Sequence, residues 1–284
     1  MKMIAFFANI CYNKENVFPE GADLMQKILK TGHTEFAYRE EITGSKRIFD
    51  THCHLSFELI AVYEGAVHIV VEGKRVELQP YHMAIIPPHL YHSVFSVKSG
   101  NYRRVTVLFD RDLIPKQIRE EVIAAIGEEP FYVHPFLKQM LDPLAEVMQM
   151  PSPERYGPLV ESILIQILYH RIMYSSVGSL GESDPMIHQI SEYIDRHVHD
   201  RITLDDIARH LYLSKSTLCH VFRRKMNISV KQYILQKKIV FAADLIRNKM
   251  PAKEAARSIG YDNYANFYKM YKKFFSETPA RRDK

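Results

Sequence analysis

What the chain lacks narrows the field first. No stretch of its 284 residues approaches the ~18 consecutive apolar positions of a transmembrane helix, so no membrane span is expected. The apolar run at residues 4–11 follows one lysine as a secretory leader's core would. Asn9 interrupts that run and no small-residue cleavage site follows, so it reads as structure. Cysteine is scarce: Cys11, Cys53 and Cys219 are scattered and odd in number. That argues against a disulfide framework and for a reducing compartment, with the cytoplasm as the expected location. Strong compositional bias is absent too. Contents of 46% hydrophobic and 25% charged residues are those of an ordinary globular chain, and the length suits two domains.

Charge, by contrast, is unevenly spread. Residues 185–284 carry twenty Lys and Arg against ten Asp and Glu, a net +10, while residues 1–184 carry eighteen against twenty-three, a net −5. A basic tail on an acidic body is the footprint of a phosphate-bearing partner; a face that merely keeps the protein soluble is the plain alternative. Three zones separate by pattern. Residues 35–110 hold short runs of Val, Ile, Tyr and Phe broken by Gly, Pro and Asn, and 67–78 reads as a hairpin, so a small antiparallel sandwich or barrel is predicted. Residues 113–175 turn helical. There Leu159, Val160, Ile163, Leu164, Ile167 and Leu168 share one helix face, either a dimer surface or one buried against the barrel. The stretch 175–185, SSVGSLGESDP, is the best linker. The predicted division is 1–112, 113–180 and 185–284.

The last hundred residues are the most specific. Thr203 with Asp206 makes a capping-box start for a short helix over 204–211. After a break at Tyr212 and Leu213, Ser214 caps a second helix over 215–225, with Leu218, Val221 and Phe222 inside and Ser216, Cys219, His220 and Arg223 outside. The arrangement then returns. Pro251 opens a short helix through Ala255 and Ala256, Gly260 supplies the turn, and Asp262 or Asn263 caps a helix over 264–274. Its inner face is Phe267, Met270, Tyr271 and Phe274; its outer face is Ala265, Tyr268, Lys269 and Lys272. Leu218 to Phe267 is 49 positions, and so is Phe222 to Tyr271, so the second helices of the two pairs register face for face. Between them Ser229 caps a long helix to about Asn248. Two helix-turn-helix units held by one rigid helix can place a helix in each of two major-groove segments about one duplex turn, roughly 34 Å, apart.

The residues Ile207, Ala208, Leu213, Ser214, Leu218, Phe222 and Arg223 are followed by Ala255, Ala256, Ile259, Gly260, Tyr261, Phe267, Tyr271, Lys272, Thr278 and Pro279, with Arg281 or Arg282. In this order, over 186–282, they resemble the DNA-binding domain of the AraC/XylS family of bacterial transcription regulators. Ser276 stands where that family usually has Gly, and His220 where a longer basic residue is common. The resemblance implies base-edge contact from Ser216, Cys219 and His220 in the first unit and from Tyr264, Ala265, Tyr268 and Lys269 in the second. Lys215, Arg223 and Lys272 are assigned to phosphates, which add affinity and salt dependence but no sequence reading.

In the N-terminal half, His52, His54 and Glu58 share strand parity and project to one face, and His92 follows 34 residues after Glu58. Three imidazoles and a carboxylate can bind a divalent metal such as Zn, Mn, Fe or Ni. They can equally hydrogen-bond a polar effector such as a sugar, or one another in a vestigial core. Tyr38, Tyr63 and His68 are candidate wall residues. The spacing resembles the two motifs of the cupin barrel, but the first motif lacks its leading Gly, Lys46 standing near its place, and His89 occupies the position of the second motif's usual Gly. Sensor domains of the AraC/XylS family are often cupin-like, so the two resemblances agree.

The expected fold class is therefore α+β multidomain: an N-terminal cupin-like β-barrel with a helical segment, then an all-α domain with two helix-turn-helix units. The expected function is an effector-responsive regulator of transcription that binds double-stranded DNA. It is no enzyme, has a small-molecule effector, forms a homodimer, and contacts RNA polymerase if it activates. A cupin metalloenzyme with a helical appendage is the alternative, and it leaves the charge split and the doubled helix pairs idle.

Overall fold

A computed structural model describes residues 24–30, 34–43, 51–96, 100–174, 184–275 and 278–279. The expectations placed on residues 4–11, Lys46, the linker at 175–183, Ser276, Arg281 and Arg282 lie outside them.

Alternation of apolar side chains builds the N-terminal half. Strands β1 (Leu24–Lys30), β2 (Thr34–Thr43), β3 (Phe57–Glu64), β4 (Val67–Val71), β5 (Lys74–Leu78), β6 (His82–Ile86), β7 (His92–Ser96), β8 (Gly100–Phe109) and β9 (Phe131–Val133) form two antiparallel sheets. Their orders are β1-β2-β8-β3-β6-β9 and β5-β4-β7. β3 is buried on both faces. Its Ile60 and Val62 meet Val67, Ile69, Val76, Leu78 and Val94 between the sheets, whereas Phe57, Leu59, Ala61 and Tyr63 face a layer of helices. The hairpin read at 67–78 forms β4 and β5 around Glu72 (φ 45°) and Gly73 (φ 81°). Positive φ at both central residues is the I′ turn that suits a twisted two-strand ribbon.

The helical layer comprises α1 (Arg119–Glu128), α2 (Leu137–Gln149) and α3 (Gly157–Met173). Val160, Ile163, Leu164, Ile167 and Leu168 of α3 are buried in one core with β3 and β8. Each contributes about 1.5–3 kcal/mol by leaving water. Of the two readings of the apolar stripe, burial against the barrel holds for all of it except Leu159, which is 45% exposed. Arg171 donates to the carbonyls of Ala125 (2.7 Å) and Glu129 (2.9 Å), satisfying the end of α1.

The C-terminal half holds α4 (Pro185–Arg196), α5 (Leu204–His210), α6 (Lys215–Met226), α7 (Val230–Arg247), α8 (Ala252–Ser258) and α9 (Tyr264–Phe275). Capping fixes where each begins. Asp184 accepts from the amides of Met186 and Ile187, Ser214 from Thr217, and Asn263 from Ala265 and Asn266. Thr203 with Asp206 and Ser229 with Gln232 form reciprocal capping boxes. No described helix is long and apolar enough to cross a membrane.

Candidate functional site

Three places concentrate chemistry. The first is the quartet His52, His54, Glu58 and His92, whose nearest donor atoms all lie within 4.8 Å of one another. The parity reading reached the right grouping by an incomplete route. Only Glu58 stands on β3; a bend at Leu55 and Ser56 precedes it, and His52 is held by a bridge to His92, with amide-to-carbonyl bonds of 3.0 and 2.9 Å. Nε2 of His54 and Nε2 of His92 lie 2.9 and 2.6 Å from Oε2 of Glu58. Each ring's Nδ1 faces a carbonyl, Ser56 O at 2.9 Å and Leu90 O at 3.0 Å. Burial pushes the Glu58 carboxyl up, but the His92 and His54 imidazoles outweigh it and hold the group well below the usual carboxylate range. Burial pulls the His54 imidazole down, which Glu58 only partly offsets. His89 adopts φ 71° where a cupin motif would carry Gly, and its amide donates to His54 O at 2.9 Å, pinning the loop.

Two of the candidate wall residues, Tyr63 and His68, lie apart from the quartet. Tyr63 lies in the helix-facing layer with its hydroxyl on the Leu141 carbonyl, opposite in parity to Glu58. His68 pairs with Glu77 at 3.5 Å on β4. Tyr38 pairs in register with Val105, and its side chain lies outside the described set.

The second place is the outer surface of the helix pairs. Lys215, Ser216, His220, Arg223, Ala265, Lys269 and Lys272 are exposed, while Cys219, Tyr264 and Tyr268 are half-buried. The apolar partners Leu218, Phe222, Phe267 and Tyr271 are buried beneath them. The turns match as well: Leu213 N bonds Ala208 O at 2.8 Å and Tyr261 N bonds Ala256 O at 3.0 Å. Tyr212 supplies the positive φ (54°) in the first turn; in the second it is Gly260 (80°), one residue farther from its helix cap. Lys238 donates to Ile259 O (2.7 Å) and Asp200 O (2.5 Å), locking α7 to the end of α8. Lys215 is in an exposed 2.8 Å pair with Asp205, so a phosphate must compete for it.

The third place, which sequence reasoning missed, is the seam between the halves. Lys237 of α7 lies 3.0 Å from Glu72 at the β4–β5 tip and 3.0 Å from Asp195 of α4. Burial pulls the Lys237 ammonium down, but the two carboxylates outweigh it and raise its pKa. Glu72 also accepts from Tyr233 OH and from the Tyr91 amide (2.9 Å). The Tyr91 ring packs against that of Tyr233, centroids 4.5 Å apart and tilted by 44°, and its hydroxyl donates to Gln236. No spacing announces such a knot, because its members come from four separate segments.

Two family models match: "AraC-like ligand binding domain" over residues 38–168 and "Helix-turn-helix domain" over 207–283. The chain belongs to the AraC/XylS family of transcriptional regulators, a family that is not one of enzymes. Among relatives, the Msm operon regulatory protein of Streptococcus mutans is 31% identical over 38% of this chain and 44% of its own length. The probable transcriptional regulator LumQ of Photobacterium leiognathi is 25% identical over 86% of this chain and 95% of its own. The arabinose operon regulatory protein of Salmonella typhimurium is 28% identical over 44% of this chain and 46% of its own. The chain thus spans under half the length of two of these relatives and nearly all of the third.

Proposed function

We propose that this AraC/XylS-family chain is a DNA-binding regulator of transcription controlled by a small molecule held in its N-terminal half. The observation that carries it is the doubled helix pair. α5 with α6 and α8 with α9 are two helix-turn-helix units, bridged by α7, each with an apolar inner face buried and a polar outer face exposed. On a segment of net +10, that arrangement suits two successive major-groove contacts. Ser216, Cys219 and His220 read bases in the first unit, and Tyr264, Ala265, Tyr268 and Lys269 in the second; Arg223, Lys272 and, less freely, Lys215 meet phosphates.

The two facing sheets of the sensor, which lie in residues 1–112 except for β9, form a cupin-like barrel; the helices of 113–180 complete its core, and 185–284 are the DNA-binding part. His52, His54, Glu58 and His92 offer the donors and acceptors that an effector needs, and a relative named for the arabinose operon favours a sugar as its class. The chain works in the cytoplasm, as its scattered thiols suggest, and an activating role would bring it against RNA polymerase. A homodimer is supported by the outward face of α3, where Leu159, Tyr169 and Met173 are 45, 38 and 66% exposed. A metalloenzyme reading would leave both helix pairs without a task.

The test is a salt-titrated anisotropy measurement on duplex DNA from upstream of the protein's own gene. Affinity is expected to fall steeply with salt, with a slope near −0.9 per phosphate neutralised. No binding at low salt would overturn the reading.

A further inference from the structure

Four helices of the C-terminal half, α5 to α8, each run into a residue at positive φ: Tyr212 (54°), Asn227 (58°), Lys249 (69°) and Gly260 (80°). The chain turns back there in the left-handed region, which crowds a Cβ against the following carbonyl. Gly escapes the crowding, and Asn offsets it with a short polar side chain. Lys249 brings a cation to the negative end of α7. Tyr212 gains nothing comparable. It is 96% exposed, and no described residue hydrogen-bonds its side chain or meets its ring. The other large aromatic at positive φ differs: Tyr81 (66°) sets its ring against Tyr63, and its hydroxyl accepts from Lys138 at 3.0 Å.

The two helix-turn-helix turns are otherwise alike. Tyr212 N bonds Arg209 O at 3.2 Å and Leu213 N bonds Ala208 O at 2.8 Å; Gly260 N bonds Arg257 O and Tyr261 N bonds Ala256 O, both at 3.0 Å. Tyr212 thus holds in the first unit the position that the second gives to Gly. A Gly at 212 would relieve the strain, and losing the exposed ring would cost no packing. A strained residue that the chain itself does not use points to a task outside the chain. Its surroundings give the chemistry of the partner. Exposed residues continue from Ser214 through Lys215, Ser216 and Thr217 at the start of α6, and exposed Arg209 and His210 precede the turn. The nearest carboxylates along the chain are already engaged, Asp205 by Lys215 at 2.8 Å and Asp206 by the amide and hydroxyl of Thr203. Such a rim suits a polyanion. A helix-turn-helix unit sets the N-terminal residues of its second helix against base edges, so the turn before them stands at the groove's edge beside a sugar–phosphate strand.

We propose that Tyr212 is a further DNA contact of the first unit, its ring lying on a deoxyribose and its hydroxyl donating to a phosphate oxygen at the edge of the first half-site. The contact rests on the regulator reading above and adds to it a residue kept for binding at the expense of stability. Unlike Ser216, Cys219 and His220, Tyr212 reads no base; it fixes how α6 sits in the groove. Unlike Lys215 and Arg223 it is neutral, so it displaces no condensed counterion and adds nothing to the salt dependence.

The experiment compares full-length wild type, Tyr212→Gly and Tyr212→Phe by melting temperature and by salt-titrated anisotropy on the upstream duplex and a scrambled one. Tyr212→Gly is expected to melt about 1–3 °C above wild type, because strain is relieved and no packing is lost. It is expected to bind both duplexes about five- to tenfold more weakly at an unchanged salt slope. Tyr212→Phe, which keeps the ring, is expected to lose about threefold. A Tyr212→Gly variant that binds both duplexes as wild type does overturns the contact; a fall in its transcription in vitro would then give the ring to a protein partner. A melting temperature below wild type shows that the fold uses the ring, and overturns the proposal as well. A loss confined to the upstream duplex makes Tyr212 a base reader and overturns the backbone assignment. Wild type that binds neither duplex at low salt overturns the regulator reading, and the Tyr212 contact falls with it.

Discussion

Two residues at the seam carry conformational constraints that their neighbours enforce. Gly73 sits at φ 81°, and a Cβ built there would lie 2.4 Å from Cγ2 of Ile187 on α4. An L side chain is disfavoured at that φ even in open space, and here α4 must also move. Gly73→Ala is therefore expected to destabilise the protein by about 1–3 kcal/mol, read as a lower urea midpoint at unchanged slope. His89 supplies a pH effect. Burial pushes its imidazole down to about 4 from 6.5, with Asp244 opposing the shift and Lys237, Arg247 and His54 adding to it. A folded value below the unfolded one means stability that is present above 6.5 and lost as pH falls toward about 4. Urea midpoints of wild type and His89→Gln should diverge across that window, the variant falling less; parallel curves would remove His89 as the cause.

At the level of elements, the two helix pairs share a plan yet differ in side-chain equipment. Lys269 and Lys272 of α9 are both exposed, and the proposed reading gives Lys269 to bases and Lys272 to phosphates. Lys269→Ala should weaken the cognate duplex by about 1–3 kcal/mol and flatten its advantage over scrambled DNA; Lys272→Ala should weaken both duplexes alike and reduce the salt slope by about one. Competition binding across a salt series separates the two. These helices were legible because capping is local: Ser214, Ser229 and Thr203 each satisfy the amide three residues on, and a 49-residue register needs no tertiary knowledge. The hairpin at 67–78 was legible for the same reason. The strand placement of His52 and His54 was not, because a bend at Leu55 and Ser56 depends on what packs against it from α7. Whether Tyr63 packs or lines a pocket was open in the sequence, because its parity against Glu58 means little until one knows that both faces of β3 are buried. The Glu72–Lys237–Asp195 knot left no sequence signal, since isolated acids and lysines occur everywhere on a surface.

For the whole molecule, the question is how a body of net −5 presents a tail of net +10 to a polyanion. The body repels DNA while the tail attracts it, so a second tail in the complex would add phosphate contacts and a second body would add repulsion. Pairing is favourable only if the protomers also gain contact away from the duplex. α3 offers such a surface: Leu159, Ser162, Gln166, Tyr169 and Met173 repeat at three- and four-residue steps and face outward, while its other face is already committed to the core. Removing apolar area there should separate pairing from DNA contact. Met173→Asp together with Leu159→Asp is expected to convert a dimer to a monomer in sedimentation while leaving the fold intact, since neither side chain is buried. The same variant should lose at least tenfold in affinity for a duplex with two half-sites and little for one with a single half-site, because only the former uses both protomers at once. A wild-type protein that sediments as a monomer at micromolar concentration, or equal losses on the two duplexes, would remove α3 as the contact.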